Sequence, residues 1–246
     1  MSKVLVIPDI HLKPIMFERA AKILDSGQAD FAVQLGDIFD DWGQEFNYKL
    51  YDMTTDKAIE FHKKYPKTLW CMGNHDFGYY LPEYGRRETG HSKMQEDTMA
   101  DNVARMVGAG IKQKTIHVVD NVIFSHAGLI ADWIATLTLD GTDYEMGDYI
   151  EVLINNAEPD LLWDQKSPIW ARPQDGHWVM YGKKQYMQVV GHTPVKTASY
   201  NKYTKILSTD TFSTYSDGSK LGDRRFAIVD TVEKTWEYAK EEDDSP

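Results

Sequence analysis

The chain has 246 residues, of which 42% are hydrophobic and 26% are charged, values typical of an ordinary globular protein with a well-buried core. Its net charge is −11 and it contains no lysine- or arginine-rich block, which argues against an extended nucleic acid as a partner because few phosphates would be neutralised. Cys71 is its only cysteine, so an intrachain disulfide is excluded, and without a signal-peptide pattern or a membrane-length apolar stretch the sequence predicts a cytoplasmic protein with no membrane partner.

The first part of the chain alternates apolar runs with amphipathic segments. Strands are predicted at Lys3–Pro8, Phe31–Leu35 and Thr68–Met72, and helices at Phe17–Leu24 and Thr55–Tyr65. A glycine follows the first of these helices and a proline follows the second, and both are typical helix stop signals. This alternation of strands and helices predicts a parallel sheet with crossover helices.

The pattern changes after the third predicted strand. Gly78–His91 is predicted to be a loop, and the tryptophan-rich Leu161–Tyr181 an irregular wall or lid, while Asp120-Asn121 is a hairpin turn signal. Helices are predicted at Ser92–Val107 and Asp148–Asn155, and strands at Thr115–Val119, Val122–Ser125, Tyr186–Val190, Lys205–Ser208, Arg225–Val229 and Thr235–Ala239. Because no repeat or linker interrupts the chain, residues 1–240 are predicted to form one domain, followed by an acidic solvated tail at 241–246.

Five polar clusters follow predicted strands directly. They are Asp9-x-His11, Gly36-Asp37-x-x-Asp40, Gly73-Asn74-His75-Asp76, Ser125-His126-Ala127-Gly128 and Gly191-His192-Thr193-Pro194. The carboxyl ends of strands are where open α/β sheets bind their ligands. Carboxylate, imidazole and amide donors without a thiolate suit a pair of divalent ions such as Mn, Fe, Zn, Co or Ni. Such a pair can clamp a phosphoryl group and ionise a bridging water.

In this order the five clusters resemble the motif set of the calcineurin-like metallophosphoesterases. The forms His126-Ala127-Gly128 and Gly191-His192-Thr193-Pro194 are similar to the phosphoprotein-phosphatase branch, whose bacterial and phage members include lambda-type phosphatases and diadenosine-tetraphosphatases. The resemblance extends from residue 4 to about residue 230. It implies a four-layer αββα sandwich of two mixed sheets flanked by helices, and a hydrolase that uses two divalent metal ions, with manganese preferred.

The resemblance also implies a set of metal ligands. Asp9 and His11 would hold the first ion, and Asp37 would bridge the two ions. The remaining ligands, which would hold the second ion, are Asn74, His126 and His192.

The same resemblance implies catalytic and substrate-binding residues. His75 would be the general acid that protonates the leaving oxygen, and Asp40 would orient it. Asn74 and Arg172 would contact the substrate phosphate. Asp210 resembles a late motif next to the site, and we expect its role to be structural.

One departure from the family pattern concerns the substrate. The branch usually follows its second motif with Arg-Gly, whose arginine grips the phosphate, whereas this chain continues with Asp41-Trp42. An acid there removes a phosphate contact and is expected to repel a dianion, while metal binding stays intact. The favoured hypothesis is a phosphatase that acts on phosphate monoesters, in particular on phosphoproteins. The alternatives are a nucleotide or diadenosine-polyphosphate hydrolase, which the missing arginine and the many aromatic residues motivate, and a non-catalytic binding module. No sequence feature specifies an oligomeric state.

Overall fold

Two mixed β-sheets lie face to face in this protein. The computed structural model describes residues 2–82, 96–137, 149–175 and 178–241. The first sheet contains β1 (Lys3–Ile7), β2 (Phe31–Gln34), β3 (Leu69–Cys71), β4 (Gln113–Lys114), β10 (Ala227–Asp230) and β11 (Thr235–Tyr238), in the order β11-β10-β1-β2-β3-β4. Strands β1 to β4 are parallel, whereas β10 and β11 are antiparallel to their neighbours. The predicted parallel sheet is therefore correct for its three predicted strands, β1 to β3, and β4 extends it.

The second sheet is built from the later part of the chain. It contains β5 (Ile116–Val119), β6 (Val122–Ser125), β7 (Met187–Val190), β8 (Ser199–Asn201) and β9 (Ile206–Ser208), in the order β5-β6-β7-β9-β8. Strands β6, β7 and β9 are parallel, and the two edge strands pair with them in antiparallel fashion. The predicted hairpin turn lies between β5 and β6, where Asp120 has a φ of 49°.

Helices cover the outer face of each sheet. They are α1 (Ile15–Asp25), α2 (Tyr48–Lys64), α3 (Asn74–Tyr80), α4 (Glu96–Gly108), α5 (Ala131–Leu137), α6 (Ile150–Asn155) and α7 (Pro159–Leu162), with a 3₁₀ turn at Pro173–Asp175. Successive side chains of a strand point to opposite faces, so β1 directs Val4 against Phe124 of the other sheet and Leu5 toward Phe17 of α1. Ile123 of β6 packs outward with Trp133 of α5. The predicted αββα sandwich is confirmed.

The largest differences between the predicted and observed helices are at two places. Helix α2 begins at Tyr48 and not at Thr55, because the side chain of Asn47 accepts a hydrogen bond from the Leu50 N–H and caps the helix seven residues earlier. Helix α3 begins directly at Asn74 and continues through the first residues of the predicted loop 78–91. Residues 83–91 of that loop and residues 92–95 of the next predicted helix lie outside the described residues.

Several short elements were not predicted. Strand β4 has two residues and β8 has three exposed residues, so neither carries an apolar run long enough to indicate a strand. The 3₁₀ turn lies within the stretch predicted to be irregular, and helix α7 ends in its first two residues. Asp148 of the predicted helix 148–155 and residues 242–246 of the predicted tail lie outside the described residues. Among the helices that the structure describes, none combines the length and the apolar composition needed to cross a bilayer.

Candidate metal centre and active site

The predicted ligands lie where the strands of the two sheets end. Asp9 follows β1, Asp37 follows β2, and Asn74 opens helix α3 just after β3. In the second sheet, His126 follows β6 and His192 follows β7. Strands β1, β2 and β3 are parallel to one another, and so are β6 and β7. Their carboxyl ends therefore meet at one edge of the sandwich.

Two glycines allow the carboxylates to approach the backbone of a neighbouring strand end. A Cβ atom on Gly73 would lie 2.1 Å from Asp37 Oδ1, and a Cβ atom on Gly191 would lie 2.0 Å from Asp9 Oδ1. Both distances are far below the van der Waals contact distance, so any larger residue would displace the carboxylate. The glycines that precede the Asn-His and His-Thr-Pro motifs therefore have a defined steric role.

The backbone is strained at the site. His11, Asp37, Asp40 and His192 have φ values of 42°, 51°, 62° and 62°, in the left-handed region that non-glycine residues rarely adopt. The N–H groups of Ile10 and His11 both donate to the Asp37 carbonyl at 2.9 Å, which joins the first two strand ends. Strained residues of this kind concentrate at functional sites.

Two groups of potential ligand atoms share one carboxylate. In the first ligand group (Asp9, His11 and Asp37) the donor atoms lie within 4.8 Å of one another, and His11 Nε2 is 3.6 Å from Asp37 Oδ2. The second ligand group (Asp37, Asn74, His126 and His192) is tighter. His126 Nε2 lies 3.3 Å from Asp37 Oδ2, 2.9 Å from Asn74 Oδ1 and 3.0 Å from His192 Nδ1. Asp37 therefore occupies the position of a bridging ligand.

The hydrogen bonds of the imidazoles fit a cation at both groups. His126 Nδ1 lies 2.8 Å from the Leu35 carbonyl and His11 Nδ1 lies 2.7 Å from the Asp40 carbonyl. A carbonyl can only accept, so both Nδ1 atoms carry a proton and, in the neutral rings, both Nε2 atoms present a lone pair. In the neutral ring that would bind a cation, the lone pair of His126 Nε2 faces Asn74 Oδ1, whereas in the protonated ring of the metal-free protein Nε2–H donates to that oxygen. His192 Nε2 is buried without a hydrogen-bond partner among the described residues.

Burial and mutual charge shift the pKa values of these groups strongly. Burial and the nearby Asp210 raise the pKa of Asp9 well above its usual value. Burial opposes ionisation of Asp37, but the imidazoles of His126 and other histidines outweigh it and lower the pKa of that carboxyl. Burial likewise opposes protonation of His126, yet Asp37 and Asp9 raise its pKa to about 9, whereas burial lowers the pKa of His192 well below its usual value. Strongly shifted pKa values of this kind concentrate at functional sites.

The predicted acid–base pair lies beside Asp37. His75 Nδ1 is 3.2 Å from Asp40 Oδ2, and the His75 backbone N–H donates to Asp37 Oδ1 at 2.9 Å. The rings of His75 and His11 meet edge to face with centroids 5.3 Å apart. His75 is thus held next to both the Asp37 carboxylate and the first ligand group, while its side chain remains 23% exposed.

Three further residues complete this part of the site and were not predicted from the sequence. The hydroxyls of Tyr51 and Tyr79 both donate to Asp40 Oδ1, at 2.7 and 2.6 Å. Asp76 accepts the backbone N–H of Ile38 at 2.9 Å and, because it is buried near Asp37, has its pKa raised to about 7. Asp76 belongs to a motif that the sequence singled out, but no local pattern marks the two tyrosines.

Residues at the rim lie close to the second ligand group. Arg172 is exposed and donates from Nη1 to Thr193 Oγ1 at 3.2 Å, one residue after His192. The Trp170 ring meets the His192 imidazole edge to face at 6.1 Å. The structure therefore brings Arg172 to the site. Asp210 is buried and accepts from Ser213 Oγ at 2.7 Å, in keeping with the structural role expected for it.

Asp41, which stands in place of the usual arginine, does not present an unpaired negative charge. Its Oδ2 accepts from Lys13 Nζ at 2.9 Å and its Oδ1 accepts from Thr214 Oγ1 at 3.0 Å. Lys13 also donates to the His11 carbonyl at 3.1 Å. Lys13, which follows the first strand, pairs with this carboxylate and reduces its effective negative charge. The expected repulsion of an anionic substrate by Asp41 stays a prediction.

The chain is similar to known proteins in sequence and in fold. A sequence model described as calcineurin-like phosphoesterase matches residues 2–220. A solved cold-active protein-tyrosine phosphatase from a psychrophilic Shewanella species is similar to this chain with a TM-score of 0.54 and 17% identity, over 98% of this chain and 81% of that one. A further structure of a cold-active protein tyrosine phosphatase gives a TM-score of 0.55 and 18% identity, over 98% and 79% of the two chains. At these identities the likeness shows the fold alone. No curated protein matches the chain.

Proposed function

Because the chain belongs to the calcineurin-like phosphoesterase family, we propose that it hydrolyses phosphate monoesters in the manner of a protein phosphatase acting on phosphoserine, phosphothreonine or phosphotyrosine. The chain is a metal-dependent phosphoric ester hydrolase. The observation that carries the finer proposal is the sharing of Asp37 by the two ligand groups. The ligand atoms of Asp9, His11 and Asp37 lie within 4.8 Å of one another, and so do those of Asp37, His126 and His192. Two ions that share a carboxylate are spaced to clamp a phosphoryl group.

The proposed ion pair is divided between the two ligand groups. Asp9 and His11 would hold the first ion together with Asp37, and Asp37 would also hold the second ion with the amide and imidazoles of the second ligand group. Manganese is our preferred ion, with Fe, Zn, Co or Ni as alternatives, because the donors are oxygen and nitrogen only. When bound, such ions supply positive charge to the phosphoryl oxygens and lower the pKa of a bound water.

His75 and Asp40 form the proposed proton-donating pair. His75 holds the proton for the leaving oxygen on Nε2, the ring nitrogen opposite the Nδ1 that faces Asp40. Asp40 fixes the ring orientation and stabilises the imidazolium form before the proton is transferred. The 3.2 Å contact and the burial of Asp40 support this assignment.

Arg172 and Asn74 are the proposed substrate-binding residues. The exposed guanidinium of Arg172, held beside Thr193, can bind two phosphate oxygens at once. The Asn74 side chain can contact a phosphate oxygen through its amide nitrogen while its Oδ1 faces the second ligand group. In this proposal these two residues orient the phosphoryl group for in-line attack.

Phosphate release tests the proposed substrate class. The purified chain with Mn²⁺ should release p-nitrophenol from p-nitrophenyl phosphate and inorganic phosphate from phosphopeptides, and EDTA should abolish both activities. Parallel assays with Fe, Zn, Co and Ni ions identify the preferred metal. An absence of release with every one of these ions would rule the proposal out.

A second candidate is a nucleotide or diadenosine-polyphosphate hydrolase. Trp42, which follows the Lys13–Asp41 pair at the rim of the site, is 63% exposed, and a flat exposed ring can stack on a nucleobase. Chromatography of the products from diadenosine tetraphosphate separates this candidate from the first, since an uncleaved dinucleotide eliminates it. The third hypothesis, a non-catalytic binding module, has no support from the site, because both ligand groups and His75 are intact.

The single cysteine bears on the cellular compartment. Cys71 is buried as a free thiol in β3, and burial raises its pKa. A free, buried thiol is suited to the reducing conditions of the cytoplasm, which is the location that we propose. We also propose that residues 1–240 form one domain.

A further inference from the structure

The carboxylate that faces His75 is held by two tyrosine hydroxyls. Tyr51 Oη and Tyr79 Oη lie 2.7 and 2.6 Å from the same oxygen, Asp40 Oδ1, while the other oxygen, Oδ2, faces His75 Nδ1 at 3.2 Å. A neutral tyrosine hydroxyl is the donor in each bond because an ionised carboxylate can only accept. Both lone-pair directions of Oδ1 are thus occupied.

The two tyrosines are themselves fixed in position. Tyr51 belongs to α2 and is fully buried, and Tyr79 belongs to α3 and is 5% exposed. The Phe39 ring lies parallel to the Tyr51 ring with centroids 6.2 Å apart, and it meets the Tyr79 ring edge to face at 5.9 Å. Rings packed in this way cannot follow a rotating carboxylate without disrupting the core around them.

This arrangement restricts Asp40 to one orientation. Asp40 is 3% exposed, so water cannot easily replace a lost hydrogen-bond donor. Its backbone φ is 62°. Rotation of its carboxylate by a quarter turn would break both tyrosine bonds in a buried setting, where an unsatisfied charged acceptor is costly. Asp40 Oδ2 is therefore held toward His75, and Asp40 in turn fixes the plane of the imidazole.

We propose that Tyr51 and Tyr79 are positioning residues for proton donation by His75, acting through Asp40. The proposal rests on the proposed function, because it assigns the tyrosines to the protonation of the leaving oxygen. Both tyrosines act through their hydrogen bonds to Asp40 Oδ1. Helix α2 extends seven residues beyond its predicted start and so carries Tyr51 into contact with Asp40, which explains why the sequence did not reveal the pair.

The leaving group of the substrate provides the test. Tyr51→Phe, Tyr79→Phe and the double variant keep the rings and remove only the hydroxyls. With Mn²⁺, we expect the double variant to lose about 10-fold in kcat on phenyl phosphate, because its phenolate leaving group is poor and needs a proton. This loss is a part of the total contribution of a general acid, which is about 100-fold or larger. On p-nitrophenyl phosphate, whose leaving group needs little protonation, kcat should change less than about 2-fold. The KM values and the metal content should stay at those of the wild type.

Tyr65→Phe is the matched control. Its hydroxyl also donates to a carboxylate, Asp25 Oδ1 at 2.8 Å, and its ring packs against Phe61, but it lies in the α1–α2 contact and not at the site. The Tyr65→Phe variant should leave the ratio of kcat on phenyl phosphate to kcat on p-nitrophenyl phosphate unchanged. Equal losses on both substrates in the double variant, or no loss on phenyl phosphate, would overturn the positioning role.

A crystal structure of the metal-free double variant tests the orientation without any activity. We expect the Asp40 carboxylate to turn and the distance from its Oδ2 to His75 Nδ1 to exceed hydrogen-bonding range. An unchanged carboxylate would overturn the proposal, even with an active enzyme. A wild-type protein that cleaves neither ester with any metal would instead refute the proposed function, and a turned carboxylate would then still show that the tyrosines orient Asp40.

Discussion

Replacement of Gly191 by alanine tests whether Asp9 is held at one fixed position. The added Cβ would lie 2.0 Å from Asp9 Oδ1 and 3.1 Å from its Cγ. A normal contact is about 3.4 Å, so the carboxylate or the 191 backbone has to move by roughly 1.4 Å. Asp9 cannot simply swing away, because it is buried and its Oδ2 accepts the His192 N–H at 2.9 Å.

The displacement is large compared with the tolerance of a metal site. Metal–ligand distances must lie within about 0.2 Å of their ideal values. The first ligand group should therefore bind its metal ion about 100-fold or more weakly, because changes around a metal site already cost up to about this much affinity. We expect fewer ions per chain in dialysed Gly191→Ala protein by mass spectrometry of bound metal. Overpacking should also lower the free energy of unfolding of the metal-free protein by about 1–3 kcal/mol.

Gly108→Ala is the control for this substitution. Gly108 ends helix α4, and no atom lies within 4 Å of the Cβ position. Alanine should leave metal binding unchanged and keep or slightly raise stability, because alanine favours a helix over glycine. If Gly191→Ala bound two ions with wild-type affinity, the close approach between Gly191 and Asp9 would not define the site, and the steric reasoning would be refuted.

Substitutions at other positions separate ligand, acid and rim residues. Asp37→Asn should lose both ions, whereas His75→Ala should keep both and lose about 100-fold or more in kcat on poor leaving groups; full activity of His75→Ala there would contradict its role. His126 has a pKa of about 9 in the metal-free fold, above the usual value of about 6.5, so its protonation stabilises the metal-free protein fully below pH 6.5 and this contribution is lost as the pH rises through about 9. The melting temperature of the metal-free protein should fall less over that pH range in the His126→Asn variant than in the wild type. An equal fall in the two proteins would contradict this role of His126. Asp41→Arg should place a second cation beside Lys13, lower the free energy of unfolding by about 2 kcal/mol in urea titrations and give no gain in kcat/KM; tighter phosphate binding would show that Lys13 moves aside.

The ligand groups could be predicted from the sequence because each member is encoded locally. Asp37, Asn74 and His126 each follow an apolar strand within a few residues, and parallel strands bring such positions to one edge without further information. The resemblance of five ordered motifs then indicated how the residues divide between two ions. Local pattern and global fold agree here, so the predicted residues lie together in the structure, and their roles as metal ligands stay a prediction.

The surroundings of the site could not be predicted, because they depend on contacts between distant residues. Tyr51 reaches Asp40 only because Asn47 starts α2 early, and the boundary of a helix is the least reliable part of a sequence-based prediction. Lys13 neutralises Asp41 across 28 positions of sequence, so the carboxylate that looked repulsive in the sequence is paired in the fold. Arg172 depends on an irregular segment whose path no periodicity indicates.

The second ligand group has a consequence for the whole sandwich, because it draws donors from both layers. Asp37 and Asn74 follow strands of the first sheet, and His126 and His192 follow strands of the second. An ion coordinated there crosslinks two layers that otherwise adhere through aliphatic and aromatic side chains. Any opening that separates the layers must release that ion, so metal should slow amide hydrogen exchange in the central strands of both sheets together.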